Sequence, residues 1–555
     1  MIKRISVIMI MLSGIIFLTC HHQPPRNSES YQFHFEVKKP VFPDKNFVIT
    51  EYGAVGDGIT MNTVAISKTI TECMQKGGGK VIIPAGVWLT GPIQIKSNVN
   101  LCIKKGAIVV FSKNFDDYPF ISTFYEGKKD FRAMPLIYAV DAKNIAITGK
   151  GIFNGSGEAW RPVKKFKMTE DQWKELINSG GTLNEKGDTW WPDQFAYEAS
   201  LDPEKYRSSA MNDTEREKYK AFFRPPMVQL INCKVILIEG PVFQNSPNWC
   251  IHPAICTDLT VNDITVINPW YAQNGDGIDF ESCNKVRITN SFFDVGDDAI
   301  CLKSGKDKEG RERAMPCQFV DINNCVVLHG HGGFVVGSEM SGGIHNIWVS
   351  NCSFTGTDIG LRFKSTRGRG GIVENINIEN IRMIDIAADA ISFNLFYSGT
   401  APTEGEDNPV SSLSANIPEV TEETPEFKNI TIRNVICSGA DRAVQIMGLP
   451  EMPVNTIILE NSVFNSVQGI NCIFARNMVF KDLRISTKDS PSVLIWNSSK
   501  VDANNLSGNN KTLYKIGGTD TKNILIKAEN IEEMSKMLIV GKETNSEEIR
   551  IEGIQ

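Results

Sequence analysis

The chain is poor in the features that would tie it to a metal, a nucleic acid or a membrane interior. Its 13 cysteines form no CxxC pair and no zinc-like spacing, and histidine occurs only 7 times in 555 residues. No metal and no cofactor are therefore expected. An excess of one charge is also missing. The 58 basic and 64 acidic residues leave a net charge of −6, without a long run of either sign. That argues against a nucleic-acid partner, which would favour a basic patch. The most apolar stretch, residues 5–18, is shorter than the roughly 20 residues a membrane helix needs. What remains is ordinary: 41% hydrophobic and 22% charged residues, enough to build a large core and too apolar for a disordered chain.

The first twenty residues, MIKRISVIMIMLSGIIFLTC, combine a basic start at Lys3 and Arg4 with a short apolar run. This is the layout of a bacterial export signal. It ends in Leu18-Thr19-Cys20, which is similar to a lipoprotein cleavage box. Residues 1–20 are expected to be a lipoprotein-type signal and residues 21–40 a polar tether. Membrane contact would then come only through a lipid on Cys20, in the periplasm or on the outer membrane of a Gram-negative cell. The twelve later cysteines are scattered through apolar runs, as at Cys301 and Cys472, and are expected to be buried free thiols.

Length alone suggests three or four domains at about 150 residues each, but repeats overrule that arithmetic. From Asn144 onward, helical periodicity gives way to brief alternating strands, including Asn144-Ile-Ala-Ile, Asn284-Lys-Val-Arg-Ile, Asn346-Ile-Trp-Val, Asn375-Ile-Asn-Ile, Asn429-Ile-Thr-Ile and Asn523-Ile-Leu-Ile. A second strand type starts at Gly277, Ala299, Gly333, Gly360, Ala390 and Ala443, at intervals of 22, 34, 27, 30 and 53 residues. A period in the low twenties with loop insertions fits one turn of a right-handed parallel β-helix, an all-β solenoid. Such stacked turns share one core, so residues 41–555 are expected to be a single catalytic β-helix domain. Residues 62–75 read as a helix capping its open end. Two insertions interrupt it, at about 155–226 and 400–426, and the first is expected to wall the solenoid's side.

In a parallel β-helix, equivalent positions on successive turns lie about 4.8 Å apart. The alignment thus places Asp276 under Asp298, with Asp297 beside them and His331 on the next turn. Arg362 and Lys364 occupy outward positions on the turn after that, and Lys303 is outward on the Asp298 turn. Three close carboxylates repel one another and need a reason to be there. One reason is glycoside hydrolysis, in which one acid protonates the leaving oxygen and another carboxylate activates water. The run Leu361 to Gly371, LRFKSTRGRGG, has four basic residues and no acid. On an acidic protein, this local reversal suits an anionic substrate.

The motifs Asn274-Gly275-Asp276, Gly296-Asp297-Asp298, Gly330-His331-Gly332 with Val336-Gly337-Ser338, and Arg362-Phe363-Lys364 stand in that order. In this they resemble glycoside hydrolase family 28, the polygalacturonases and related pectin hydrolases. The resemblance runs from about residue 45 to the C-terminus. The commoner family form has a threonine-like residue where Gly275 stands. The resemblance implies hydrolysis of α-1,4-galacturonosidic bonds in polygalacturonan or another pectic chain by inversion, without a metal. It implies Asp297 as general acid, Asp276 and Asp298 as the pair activating water, and His331 tuning Asp297. Arg362 and Lys364 would bind galacturonate carboxylates, with Asn274, Lys303 and His252 as further substrate contacts. Tyr397 is similar to a family tyrosine that packs on the sugar. The insertions, and Gly333 after His331, point to cleavage from chain ends, and the protein is expected to be a monomer.

Other readings are a rhamnogalacturonan or decorated-pectin hydrolase, a pectate lyase on the same fold, and a non-catalytic glycan-binding solenoid. A lyase needs calcium-binding carboxylates with a basic proton abstractor, and the motif order fits hydrolysis better.

Overall fold

Why asparagine precedes so many strands is explained by the backbone. Asn144, Asn346, Asn375, Asn429 and Asn523 all have φ between 55° and 59°. The chain turns a corner there in the left-handed region, which asparagine enters more readily than other side-chain-bearing residues. The side chains of successive corners then bond to one another: Asn144 Nδ2 donates to Asn98 Oδ1 at 3.1 Å, and Asn375 Nδ2 to Asn346 Oδ1 at 3.4 Å. A second corner repeats the device, with Asn434 donating to Asn380 at 3.1 Å and Asn380 to Asn351 at 3.2 Å.

The computed structural model describes residues 35–207, 211–397 and 417–554. The expected signal at 1–20, most of the tether at 21–40 and residues 400–416 of the second insertion lie outside the described residues. The strands between the corners form a 36-stranded sheet, all of whose registered pairs are parallel. It comprises three ladders, one per face of a parallel β-helix. The first runs through Lys234–Glu239, Thr257–Asn262, Asn284–Thr289 and Cys317–Asn323. The second runs through Ile152–Asn154, Val242–Gln244 and Thr265–Ile267. The third runs through Ile251–Ala254, Ile278–Glu281, Asp298–Lys303, Gly332–Gly337 and Leu361–Lys364. Its register, Ile278 to Ile300 to Phe334 to Leu361 to Ile391 to Val444, is the alignment expected from the repeats.

Inward residues form one continuous core from Phe47 to Met534. Equivalent positions stack along the axis, as in Phe363 on Phe393, with ring centroids 4.4 Å apart. Such pairs add about 0.5–1.5 kcal/mol beyond their burial. All twelve described cysteines are free and buried, several within reach of a carbonyl, such as Cys256 Sγ at 3.3 Å from Leu230 O. At the N-terminal end the helix Thr63–Gln75 turns Ile66, Thr69, Ile70 and Cys73 inward and covers strands Asn46–Val48 and Gly79–Ile83.

Two additions flank the third ladder. The first insertion forms an antiparallel sheet of Val163–Lys164, Thr182–Leu183 and Thr189–Trp191, with helices Glu170–Asn178 and Gln194–Leu201. Its own small core, Val163, Trp173 and Trp190, packs on Tyr271 of the solenoid. The second addition, a hairpin of Phe120–Tyr125 and Lys128–Ala133, was not expected from the repeats. Arg132 ties it to the end of the insertion, donating from Nε and Nη2 to Arg224 O at 3.2 and 3.0 Å. Trp160 is fully buried against Phe115 and Tyr118, so it packs rather than offering a surface to sugar.

Candidate active site

The third ladder lines up the acidic motifs. Because Ile278 pairs with Ile300 and Asp298 with Gly332, Asp276 falls directly beneath Asp298. Gly277 N donates to Asp298 O at 2.9 Å, and His331 N to Asp297 O at 3.0 Å, which fixes the three turns against one another. Carboxylate oxygens of Asp276, Asp297 and Asp298 converge within 4.8 Å. Asp276 and Asp298 are 3% and 2% exposed, whereas the Asp297 side chain keeps 20% of its surface. Asp297 is thus the member open to a ligand. Gly275 has a steric role: a Cβ there would lie 2.7 Å from Ala272 Cβ, so the turn leading to Asp276 closes only on glycine.

Electrostatics separates the three acids. Burial alone would raise Asp298, but Lys364, Arg362 and Lys303 overcome it and hold the carboxyl far below the usual carboxylate range. Lys364 Nζ donates to Asp298 Oδ2 at 2.6 Å and Arg362 Nη1 to Oδ1 at 3.2 Å. Asp276 goes the other way. Burial, then repulsion from Asp279, Asp297 and Asp298, pushes it well above its ordinary value. Its Oδ1 is buried without a hydrogen-bond partner. The cluster therefore pulls two neighbouring carboxyls in opposite directions, Asp298 down and Asp276 up, the kind of separation that acid–base catalysis uses. Asp297 Oδ1 accepts from Asp298 N at 3.0 Å and lies 3.1 Å from His331 Nδ1. That hydrogen bond raises the His331 value against the opposing effect of burial. His331 Nε2 faces Asp358 Oδ2 at 3.7 Å.

The three aspartates are close enough to surround a cation, but Asp298 already spends both oxygens on Lys364 and Arg362. Side-chain cations thus meet that charge within the protein.

Several expected substrate contacts are placed elsewhere. His252 has no exposed surface and sits between Gln229 Nε2 at 3.0 Å and Glu281 Oε2 at 3.1 Å, so it cannot reach a substrate. Its outward position is roofed by Trp249, whose ring lies 5.0 Å away. Lys303 is likewise below the surface, 4% exposed, with its ammonium 4.7 Å over the Trp249 ring. It is bound to Glu339 at 3.0 Å and lies 3.6 Å from Asp279. Both belong to a buried layer under the carboxylates rather than to a binding surface. Asn274 accepts from Arg224 Nη2 at 2.9 Å through its Oδ1, with φ 54°. Arg362 and Lys364 stand beside the cluster, and Tyr397, 43% exposed, lies 5.6 and 5.0 Å from their charged ends.

The sequence reading missed the buried layer itself: Asp279, Glu281, Arg313 and Glu339. The signal was present, because Asp279 and Glu281 fill outward positions of a strand whose neighbour carries Lys303, directly paired with Glu281. Lys167 was missed as well. It is 8% exposed, donates to Trp270 O at 3.4 Å, and its charge is influenced by Asp297 and Asp358. No strand register reaches it, since it comes from the insertion.

A parallel β-helix whose flank bears a cluster of three carboxyls, two of them shifted in opposite directions, bordered by cations, has the makings of a polysaccharide hydrolase. The chain belongs to the glycosyl hydrolases family 28, whose model matches residues 163–440, and it is a glycoside hydrolase. It is 29% identical over 413 residues to an exo-poly-α-D-galacturonosidase of Dickeya chrysanthemi, covering 72% of this chain and 64% of that relative's length. The exopolygalacturonase of Thermotoga maritima shares 29% identity at a TM-score of 0.66, over 82% of this chain and 95% of that one. The fold is also that of the Yersinia enterocolitica family 28 exopolygalacturonase, at 24% identity and a TM-score of 0.61 over 87% and 78% of the two chains.

Proposed function

We propose that the protein hydrolyses α-1,4-galacturonosidic bonds of polygalacturonan from the chain end, with inversion at the anomeric carbon. The reading rests above all on the split between Asp298 and Asp276. Asp298, held ionised by Lys364 and Arg362, takes the proton of the attacking water. Asp276, which burial and the neighbouring acids push well above its ordinary value, orients that water beside it. Asp297, the exposed member, gives its proton to the leaving oxygen, and His331 positions it and stabilises the carboxylate left after the transfer. End-on cleavage is supported by the Dickeya and Thermotoga proteins, both named as exo-acting, and by the insertion beside the cluster. Residues 41–555 act as one β-helix catalytic unit, exported by the segment Met1 to Cys20 towards a pectic substrate outside the cytoplasm.

The oxygen spacing makes the stereochemistry a sharp test, because inverting glycosidases commonly separate their carboxyl groups by about 6.5–9.5 Å. Here the water would be held by two adjacent acids rather than across a wide gap. The experiment is to digest polygalacturonate, follow reducing ends and product sizes, and record proton NMR spectra in the first minutes. Small products of uniform size with the β-anomer first support the proposal. An α-anomer first would replace inversion by retention. Ultraviolet absorbance from an unsaturated sugar would replace hydrolysis by elimination.

A further inference from the structure

Arg362 and Lys364, the cations nearest the reacting bond, are both committed to Asp298. An anionic polymer must therefore find other cations for its remaining carboxylates. A cavity of about 260 Å³ lies between the insertion and the hairpin, and its wall includes Asn274, two residues from Asp276. Lys164 and Trp191 reach it from the insertion sheet, Glu126 from the hairpin turn, and Arg207 and Arg224 from the far end of the insertion. The charge balance there is one-sided. Glu126 pairs with Arg207 at 3.2 Å. Lys164 and Arg224 have no carboxylate within ion-pair distance among the described residues.

The two unpaired cations differ in kind. Arg224 is nearly buried and spends its guanidinium on Pro247 O at 3.0 Å, Gln273 O at 2.9 Å and Asn274 Oδ1 at 2.9 Å. It shapes the wall and contributes an unneutralised positive charge. Lys164 is exposed and uncommitted. Arg207 offers Glu126 one edge only, and its Nε is buried without a hydrogen-bond partner. Buried positive charge with open donors is costly unless an anion arrives. A half-exposed indole beside it supplies an apolar face for a sugar ring.

We propose that this cavity is the terminal subsite of the enzyme. It takes the end uronate of the chain, with the sugar carboxylate on Lys164 and Arg207 and the ring against Trp191. Seating that sugar presents the next bonds to Asp276, Asp297 and Asp298, so the cavity measures the distance from the chain end to the cut. The inference rests on the reading of the protein as a galacturonan hydrolase, and it adds the residues that make cleavage end-directed.

The test is steady-state kinetics on oligogalacturonides and polygalacturonate with the wild type, Lys164→Ala, Arg207→Ala and Trp191→Ala, with folding checked by thermal melting. Lys164 is exposed, so its replacement leaves the fold in place. Lys164→Ala and Arg207→Ala are expected to raise KM about tenfold or more, as loss of a charge-assisted hydrogen bond does, with kcat little changed. A second readout is binding of galacturonate, and not of neutral galactose, to the Asp297→Asn protein, weakened by added Lys164→Ala. If the wild type cleaves polygalacturonate while Lys164→Ala and Trp191→Ala keep its KM and product sizes, the cavity is not a subsite and the hydrolase reading stands. If the wild type cleaves no galacturonate polymer, both fall together.

Discussion

Lys364 Nζ lies 2.6 Å from Asp298 Oδ2, both groups nearly buried and two turns of the solenoid apart along the third ladder. The pair changes what Lys364 is for. The motif reading makes Lys364 a clamp for a substrate carboxylate, but the geometry makes it first the counter-charge of the base. Lys364→Ala should therefore lower kcat itself, by about 10²–10⁴, the usual contribution of a positioned acid–base group. Without Lys364, burial drives Asp298 upward, so more of it is protonated at a given acidity. The acidic limb of the pH profile should then move to higher pH. A Lys364→Ala enzyme with native kcat and an unmoved acidic limb would return the lysine to a binding role only.

Asp297→Asn and Asp298→Asn should both abolish most turnover yet differ in stability. Asp297 is partly exposed, and its replacement should leave the melting temperature near native. Asp298→Asn strips the partner from two largely buried cations, a loss of about 3–5 kcal/mol for a broken buried pair. The stability contributed by Asp298 has a definite pH window. Its folded value is depressed, so the contribution is present above the unfolded carboxylate range and is lost as pH falls through the folded value. Melting curves of both variants between neutral and acid pH check this. Equal melting temperatures at neutral pH would contradict the ion-pair account.

The solenoid and its ladder register were legible because a period-two strand repeated at each turn carries both the core pattern and the stacking. Asp276 under Asp298 follows from counting along aligned strands, and the pairing of Ile278 with Ile300 is what that count demands. Exposure was not legible in the same way. His252 and Lys303 fill outward positions, yet Trp249 and the strands beside them roof both. Alternation says which way a side chain leaves its strand and nothing about what later covers it. Lys167 and the hairpin's Arg132 were invisible for a related reason: both come from segments outside the repeat.

The buried layer offers a test of which acid carries charge. Lys303 has two carboxylates within ion-pair range, Glu339 at 3.0 Å and Asp279 at 3.6 Å. They respond oppositely. Burial would raise Glu339, but Lys303 and Lys364 overcome it and hold it at about 2. Burial dominates at Asp279 and pushes it up to about 8, and neither of its oxygens accepts a hydrogen bond. Glu339 is thus the working partner of Lys303. Glu339→Gln should destabilise strongly, while Asp279→Asn, replacing a group mostly protonated at neutral pH, should change stability little there. The reverse order in denaturant melts would assign the charge to Asp279.

His331 connects the exposed acid to solvent pH. Its hydrogen bond to Asp297 raises its value, with burial opposing, so it stays cationic further towards neutrality than a free imidazole. A raised value means that its stabilising effect on the site is complete below the ordinary histidine range and fades as pH rises through the folded value. The alkaline limb of kcat/KM should contain this loss. His331→Gln keeps a side chain able to donate to Asp297 but cannot titrate, so its profile should lose that limb while retaining measurable activity at acid pH. His331→Ala removes the donor as well and should be slower at every pH. If His331→Gln shows the wild-type alkaline limb unchanged, the titrating group is another residue, and His331 serves only to hold Asp297 in place.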